Sequence, residues 1–144
     1  MEGNLKWVNA NDVYPLRLMV LRPEGKNQDC IWPGDDDADH LGVHLDGEVV
    51  CIASFYRRNF ENETEAIQLR GMATHPDHRG KGFGKALVEY AMQYYRKHGA
   101  RIMWCNARVV ALDFYRKLGY EIVGEPFEVE GIGTHFRMVF RLDL

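Results

Sequence analysis

At 144 residues the chain is long enough to bury a core and suits one domain spanning 1–144. Its hydrophobic fraction of 46% and aromatic fraction of 12% exclude a disordered chain. A net charge of −3 with both signs interspersed gives no basic surface for nucleic acid or membrane, so neither is expected as a partner. Along the chain, Leu5 to Val8 reads as a short strand. Asn9 or Asn11 can cap a helix running through Val20, with Val13, Leu16, Met19 and Val20 at helical spacing. The segment Pro23-Glu24-Gly25-Lys26-Asn27 breaks it, and Gly34-Asp35-Asp36-Asp37 reads as an exposed loop. His40 to Leu45 and Glu48 to Tyr56 are strand-like and joined by Asp46-Gly47, a two-residue hairpin signal.

Ala66 to Thr74 alternates as a further strand, closed by His75-Pro76. A helix from Gly82 to His98 carries Phe83, Leu87, Tyr90, Ala91 and Tyr94 on its apolar side, with Gly99 as the stop. Arg101 to Cys105 is a short buried strand, and a second helix runs from about Val109 to Leu118 with Gly119 as its cap. Tyr120 to Val123 and Phe136 to Leu142 are the last strands. Antiparallel hairpins therefore come first and a parallel, helix-connected part later, a mixed α/β (α+β) order. Cys30, Cys51 and Cys105 are odd in number, far apart and without C-x-x-C spacing, so no disulfide framework or zinc site is expected. His40 and His44 make no metal motif either, and no metal is inferred. With no basic-then-apolar leader and no long apolar run, a cytoplasmic location is expected.

The chemistry concentrates between the fourth strand and the long helix, in Arg79-Gly80-Lys81-Gly82-Phe83-Gly84-Lys85. Alternating glycines let the backbone turn tightly and leave its N–H groups uncovered. The helix that follows points its unpaired amides and positive dipole end into the turn, and Arg79, Lys81 and Lys85 add charge. Such an arrangement holds a phosphate without a metal. Two known loops fail the spacing test. A P-loop would need a glycine at Arg79 and a hydroxyl residue at Ala86, and a dinucleotide fingerprint would need a glycine at Lys85.

The pattern Arg-x-x-Gly-x-Gly, met by Arg79, Gly82 and Gly84, resembles the GCN5-related N-acetyltransferase (GNAT) superfamily. A second block, Ala111-Leu112-Asp113-Phe114-Tyr115-Arg116-Lys117-Leu118-Gly119-Tyr120, resembles that family's later helix-to-strand segment. The likeness is strong over about residues 65 to 123. It implies the GNAT fold, a central mixed but mostly antiparallel sheet flanked by helices. It also implies acetyl-coenzyme A as the cosubstrate and a primary amine, on a small molecule or a protein, as the acceptor. Residues 79 to 85 would wrap the pyrophosphate. The backbone of Met72, Ala73 and Thr74 would pair with the pantetheine arm, and an N–H at or near Ala73 would polarise the thioester carbonyl. Tyr115 would be the general acid, since a phenol with a reference pKa of about 10 stays protonated at neutral pH.

The resemblance has one departure. Many relatives carry asparagine seven residues before this tyrosine, where this chain has Arg108, with Asn106 two residues earlier. Neither inherits the asparagine's role. Glu63, Glu65 and His75 are candidates for a base, each weighed against an ordinary surface or turn role. The acidic run from Asp35 to Asp39 could attract a cationic amine, but reads first as a solvated loop. Homodimers are common in the fold, and nothing in the chain decides it. A coenzyme-binding sensor without turnover, or a binder of another phosphate ligand, are the competing readings.

Overall fold

The computed structural model describes residues 3–144. Its strands are β1 (Asn4–Val8), β2 (Asp39–Leu45), β3 (Glu48–Arg57), β4 (Ala66–Thr74), β5 (Ile102–Arg108), β6 (Glu121–Ile122), β7 (Phe127–Val129) and β8 (Gly133–Arg141). Three α-helices accompany them: α1 (Ala10–Leu16), α2 (Phe83–Lys97) and α3 (Leu112–Lys117). The strands follow the order β1-β2-β3-β4-β5-β8-β6, with β7 also on β8. The sheet is mostly antiparallel, and β4 runs parallel to β5. This is the mixed architecture the sequence implies. The described chain divides into two compact units, one holding Leu69–Ala91 with the chain up to Tyr56, the other Arg57–Gln68 with Met92–Leu144.

In the first unit β1, β2 and β3 form an antiparallel meander. The β2–β3 turn places Asp46 at φ 52° and Gly47 at φ 82°, the two left-handed residues that a tight primed hairpin turn needs. Helix α1 begins at Asn9, whose N–H donates to the Asp12 carboxylate at 3.0 Å. Its apolar side buries Val13 and Leu16 against Ile52 of β3 and Ala73 of β4. Each such aliphatic side chain contributes about 1.5–3 kcal/mol on leaving water. Pro15 removes one helical donor, and the winding widens directly afterwards into a π-helical turn over Arg17–Leu21. The Arg22 N–H there reaches back five residues to the Arg17 carbonyl at 3.0 Å. The expected face therefore changes: Met19 is exposed, whereas Arg17, four residues after Val13, is fully buried.

The second unit is organised on the long antiparallel β5–β8 ladder, from Ile102↔Arg141 to Arg108↔His135. Ala66 to Gln68 pair in parallel with Ile102 to Trp104. Phe60, Ala66, Ile102 and Trp104 form its core, with Val123 and Val139 against them. Strand β5 runs three residues further along the chain than expected, to Arg108, and β7 is an element that periodicity missed. Three residues are too few to show alternation, and β7 exists because β8 offers it an edge. Along α2 the buried positions are Phe83, Leu87, Val88, Ala91, Met92 and Tyr95, so Tyr90 and Tyr94 are not its inward aromatics. Gly99, at φ 90°, ends that helix, and the Ala100 N–H closes onto the Tyr95 carbonyl at 2.9 Å.

Candidate active site

The loop between β4 and α2 has the features that anion binding requires. After a single 3₁₀ turn at Pro76–His78, Gly80 and Gly82 adopt φ values of 76° and 83°. A Cβ at either position would meet no atom within 4 Å, so the space beside the backbone is open. The glycines are there for conformation, not for packing. The Ala86 N–H bonds to the Gly82 carbonyl at 3.0 Å, which starts the helix and leaves the amides of Phe83, Gly84 and Lys85 without an intrahelical acceptor. Arg79, Lys81 and Lys85 are exposed around them. The Lys81 ammonium lies 3.1 Å from Nδ1 of His78. Phe83 is buried, with its ring 6.5 Å from that of His78.

Strand β4 enters this loop through residues whose side chains are already engaged. Ala73 packs in the α1 core, and the Thr74 hydroxyl lies 3.3 Å from Sγ of buried Cys51. Met72 is half-buried. Any role of Ala73 and Thr74 towards a ligand would therefore fall to their main chain. Gly71, just before them, sits at φ 67° and kinks the strand. A Cβ there would come within 2.9 Å of the Trp32 ring.

The segment read as an exposed acidic loop is corrected by the structure. Asp36 and Asp37 are exposed, but Asp35 is buried. Its oxygens accept from Arg17 at 2.7 and 3.1 Å, from the Tyr56 hydroxyl at 2.6 Å and from the Trp32 N–H at 2.8 Å. Burial pushes the carboxyl pKa up, but these bonds outweigh it and hold the group below its ordinary range. Arg17 also donates to the Cys30 carbonyl at 2.8 Å and to Ser54 Oγ at 2.9 Å. His40 closes the network. Its Nε2–H donates to the Asp35 carbonyl at 2.9 Å, so its Nδ1 accepts from the Ser54 hydroxyl at 2.6 Å. The Arg17 guanidinium lies 3.8 Å from the Trp32 ring centroid. None of Arg17, Trp32, Ser54 or Tyr56 stands out from the sequence as a site residue. The one available signal was Arg17 at the i+4 position from Val13, on the apolar stripe.

Two of the three candidate bases, His75 and Glu63, have structural duties. His75 Nδ1 accepts from the Asp77 N–H at 3.1 Å, capping the 3₁₀ turn and leaving the ring proton on Nε2. Glu63 pairs with Arg141 at 3.4 Å. Glu65 is exposed, and its carbonyl accepts from the Arg101 N–H at 2.7 Å.

In the second unit Tyr115 is buried on α3, edge-to-face with Phe114 and Tyr120 at 5.0 and 5.4 Å. Phe114, expected as the core member of the pair, is only half-buried. The Tyr115 carbonyl accepts from Leu118 and Tyr120, which closes the helix over Gly119 at φ 97°. Asn106 is exposed, and Arg108 is half-buried opposite His135.

The comparisons with known proteins give the family and the fold. Residues 9–120 match the model of the acetyltransferase (GNAT) family. An uncharacterized N-acetyltransferase of Bacillus subtilis (strain 168), YitI, is 36% identical over 138 residues, covering 93% of each chain. Among solved structures, the ribosomal-protein-S18-alanine N-acetyltransferase from Escherichia coli superposes with a TM-score of 0.78 at 15% identity, covering 99% of this chain and 96% of that one. An aminoglycoside 6'-N-acetyltransferase solved with coenzyme A superposes at 0.77 and 13% identity, covering 98% of each. At those identities the superpositions speak for the fold. The match over residues 9–120, with the relative that shares more than a third of its residues, shows that this chain belongs to the GNAT acetyltransferase family.

Proposed function

We propose that the protein is an N-acetyltransferase that moves the acetyl group of acetyl-coenzyme A directly to a primary amine. The observation that carries this reading is the loop at Arg79 to Lys85, where open space, three helix-start amides and three exposed cations meet. A pyrophosphate is the anion that such a loop suits. In the reaction the amine nitrogen attacks the thioester carbonyl carbon, the C–S bond breaks, and the amide forms. The sulfur leaves as a thiolate that takes a proton, and the surplus proton of the amine passes to solvent. A backbone N–H at or near Ala73 is assigned to polarise the carbonyl. Tyr115 is assigned as the acid that protonates the thiolate, on its place in the family motif. Direct transfer is supported by the cysteines. All three are free and buried, and burial raises the thiols of Cys51 and Cys105 to about 11 and 12, far from a reactive carrier. Free thiols also suit a reducing cytoplasm.

Calorimetric titration with acetyl-coenzyme A, followed by a free-thiol release screen over mixed amines, tests the reading. Saturable binding with thiol release for one acceptor class is expected. Binding without release across every class would make the chain a coenzyme sensor instead. No binding would remove the loop assignment.

A further inference from the structure

In the second unit, strand β8 carries a histidine with one ring nitrogen committed and the other unused. His135 is buried, and its Nδ1–H donates to the Gly133 carbonyl at 3.0 Å. A carbonyl only accepts, so that nitrogen carries the proton and Nε2 keeps its lone pair. The ring stacks on Phe127, with centroids 5.8 Å apart and planes at 30°. Nε2 has no hydrogen-bond partner among the described residues and is not sealed from solvent. The other five histidines lack this combination. His40 has both nitrogens bonded, and Nδ1 of His44 is buried without a partner. In His75 and His78 it is Nδ1 that accepts, from the Asp77 N–H and the Lys81 ammonium. His98 donates through Nδ1 to the Tyr94 carbonyl, but its ring is exposed just beyond α2.

The place of His135 in the ladder relates it to the assigned acid. It stands opposite Arg108, the last residue of β5. From there the chain passes through a 3₁₀ turn at Val109–Ala111, which packs against β8, into α3. The helix carrying Tyr115 therefore starts at the end of β5 where His135 stands. Opposed residues of a ladder share a face and successive ones alternate. His135 thus shares its face with Asn106 and Arg108, whereas the Tyr115 ring meets Tyr120, which meets Phe140 on the other face, opposite Met103. On the histidine's face of the ladder the charged side chains beside it are Arg108 and Arg137, the latter over the Trp104 ring at 5.4 Å. Glu128 of β7 falls on the other face, where its carboxylate accepts from the Thr134 hydroxyl.

We propose that Nε2 of His135 is the general base of acetyl transfer, taking a proton from the ammonium of the acceptor. The proposal rests on the acetyltransferase reading above and supplies the base for that same reaction. The ammonium gives one proton to Nε2, and the neutral amine attacks the thioester carbon. As the C–S bond breaks, Tyr115 protonates the thiolate, and the second amine proton restores the phenol through water. The imidazolium then releases its proton to solvent. An acid and a base on opposite faces of the sheet suit a leaving thiolate and an entering amine.

The test follows thiol release from acetyl-coenzyme A with glycinamide, benzylamine, spermidine and a short peptide with a free N-terminus. The fastest acceptor is taken across about pH 6 to 9.5. Wild-type kcat/KM should reach a plateau below the pH at which the amine itself ionises. His135→Asn keeps an amide N–H where Nδ1–H meets the Gly133 carbonyl, and it removes the base. Its kcat should fall about 100-fold at neutral pH, while the acetyl-coenzyme A dissociation constant stays within twofold. That deficit should shrink roughly tenfold or more by the alkaline end, where the amine loses its proton unaided. A hydrogen bond that only ties the turn would leave a deficit independent of pH. The wild-type profile decides even if the variant folds poorly. Wild-type kcat/KM rising with the free-amine fraction throughout, a variant within threefold of wild type at neutral pH, or a pH-independent deficit would each overturn the proposal. So would release with none of the four acceptors. In each case the donor reading stands as long as acetyl-coenzyme A binds, and absence of that binding would remove both.

Discussion

Arg17 and Asp35 set how the first unit responds to acid. Asp35 has a folded pKa below its ordinary value of 3.8, because the bonds from Arg17, Tyr56 and Trp32 outweigh burial. A lowered carboxylate pKa stabilises the fold at every pH above the unfolded value, and that contribution is lost as pH falls through the folded one. Thermal melting across the acid range should therefore show a loss beginning below about pH 4. Asp35→Asn leaves a buried guanidinium without its counter-charge, so it should already be about 3–5 kcal/mol less stable at neutral pH. Its melting temperature should then fall less steeply on acidification than the wild type's. A parallel fall in both proteins would mean that other carboxylates dominate. Tyr115 makes a chemical prediction at the same scale. Tyr115→Phe keeps the ring and removes the proton, so kcat should drop about 100-fold. The acetyl-coenzyme A dissociation constant should change by less than twofold. Unchanged turnover would remove the acid role.

At the level of elements, the proposed function makes the loop and the first turn of α2 one anion-binding device. The φ angles of Gly80 and Gly82 lie where an L side chain is strained, and the space beside them is open. Gly82→Asp adds strain, bulk and negative charge at the assigned pyrophosphate position. Titration should detect no acetyl-coenzyme A binding up to millimolar concentration, while far-UV circular dichroism remains that of the wild type. Retained affinity would sink the loop assignment. The π-helical turn after α1 acts on another element. Just after Pro15 the helix widens, and Arg17 carries its charge inward to meet β3 and the segment from Cys30 to Asp35. A regular helix with a solvated loop after it, which the residues suggest, would have left Trp32 without its anchor.

Across the whole molecule, the cysteines report on how closed the interior is. Cys30, Cys51 and Cys105 are buried, and burial raises each thiol above its ordinary value. A thiol reagent at pH 8 should label fewer than one cysteine per native chain within an hour, and all three in denaturant. Fast labelling of a native thiol would reopen a covalent carrier for the acyl group. Among the described residues no helix is long and apolar enough to cross a membrane. Family membership accounts for the mixed sheet.

The elements with strong local causes were legible from residues alone. Asp46-Gly47 makes its hairpin because both positions tolerate positive φ. Strand β4 and helix α2 stand within a residue of where periodicity, Pro76 and Gly99 put them. The glycine turn before α2 was legible for the same reason, since glycine spacing and a helix start are local facts. What local patterns could not decide was which polar side chains would be enclosed. Asp35 looks identical to Asp36 and Asp37 in the chain, yet it alone of the three is buried, because Arg17, Tyr56 and the Trp32 N–H converge on it from separate elements. Likewise the outward turn of Tyr90, the short β7 and the stack of Arg70 on Trp32 depend on partners distant in sequence. Burial of a charge is stable only when its partner arrives with it, and that meeting is a property of the tertiary fold.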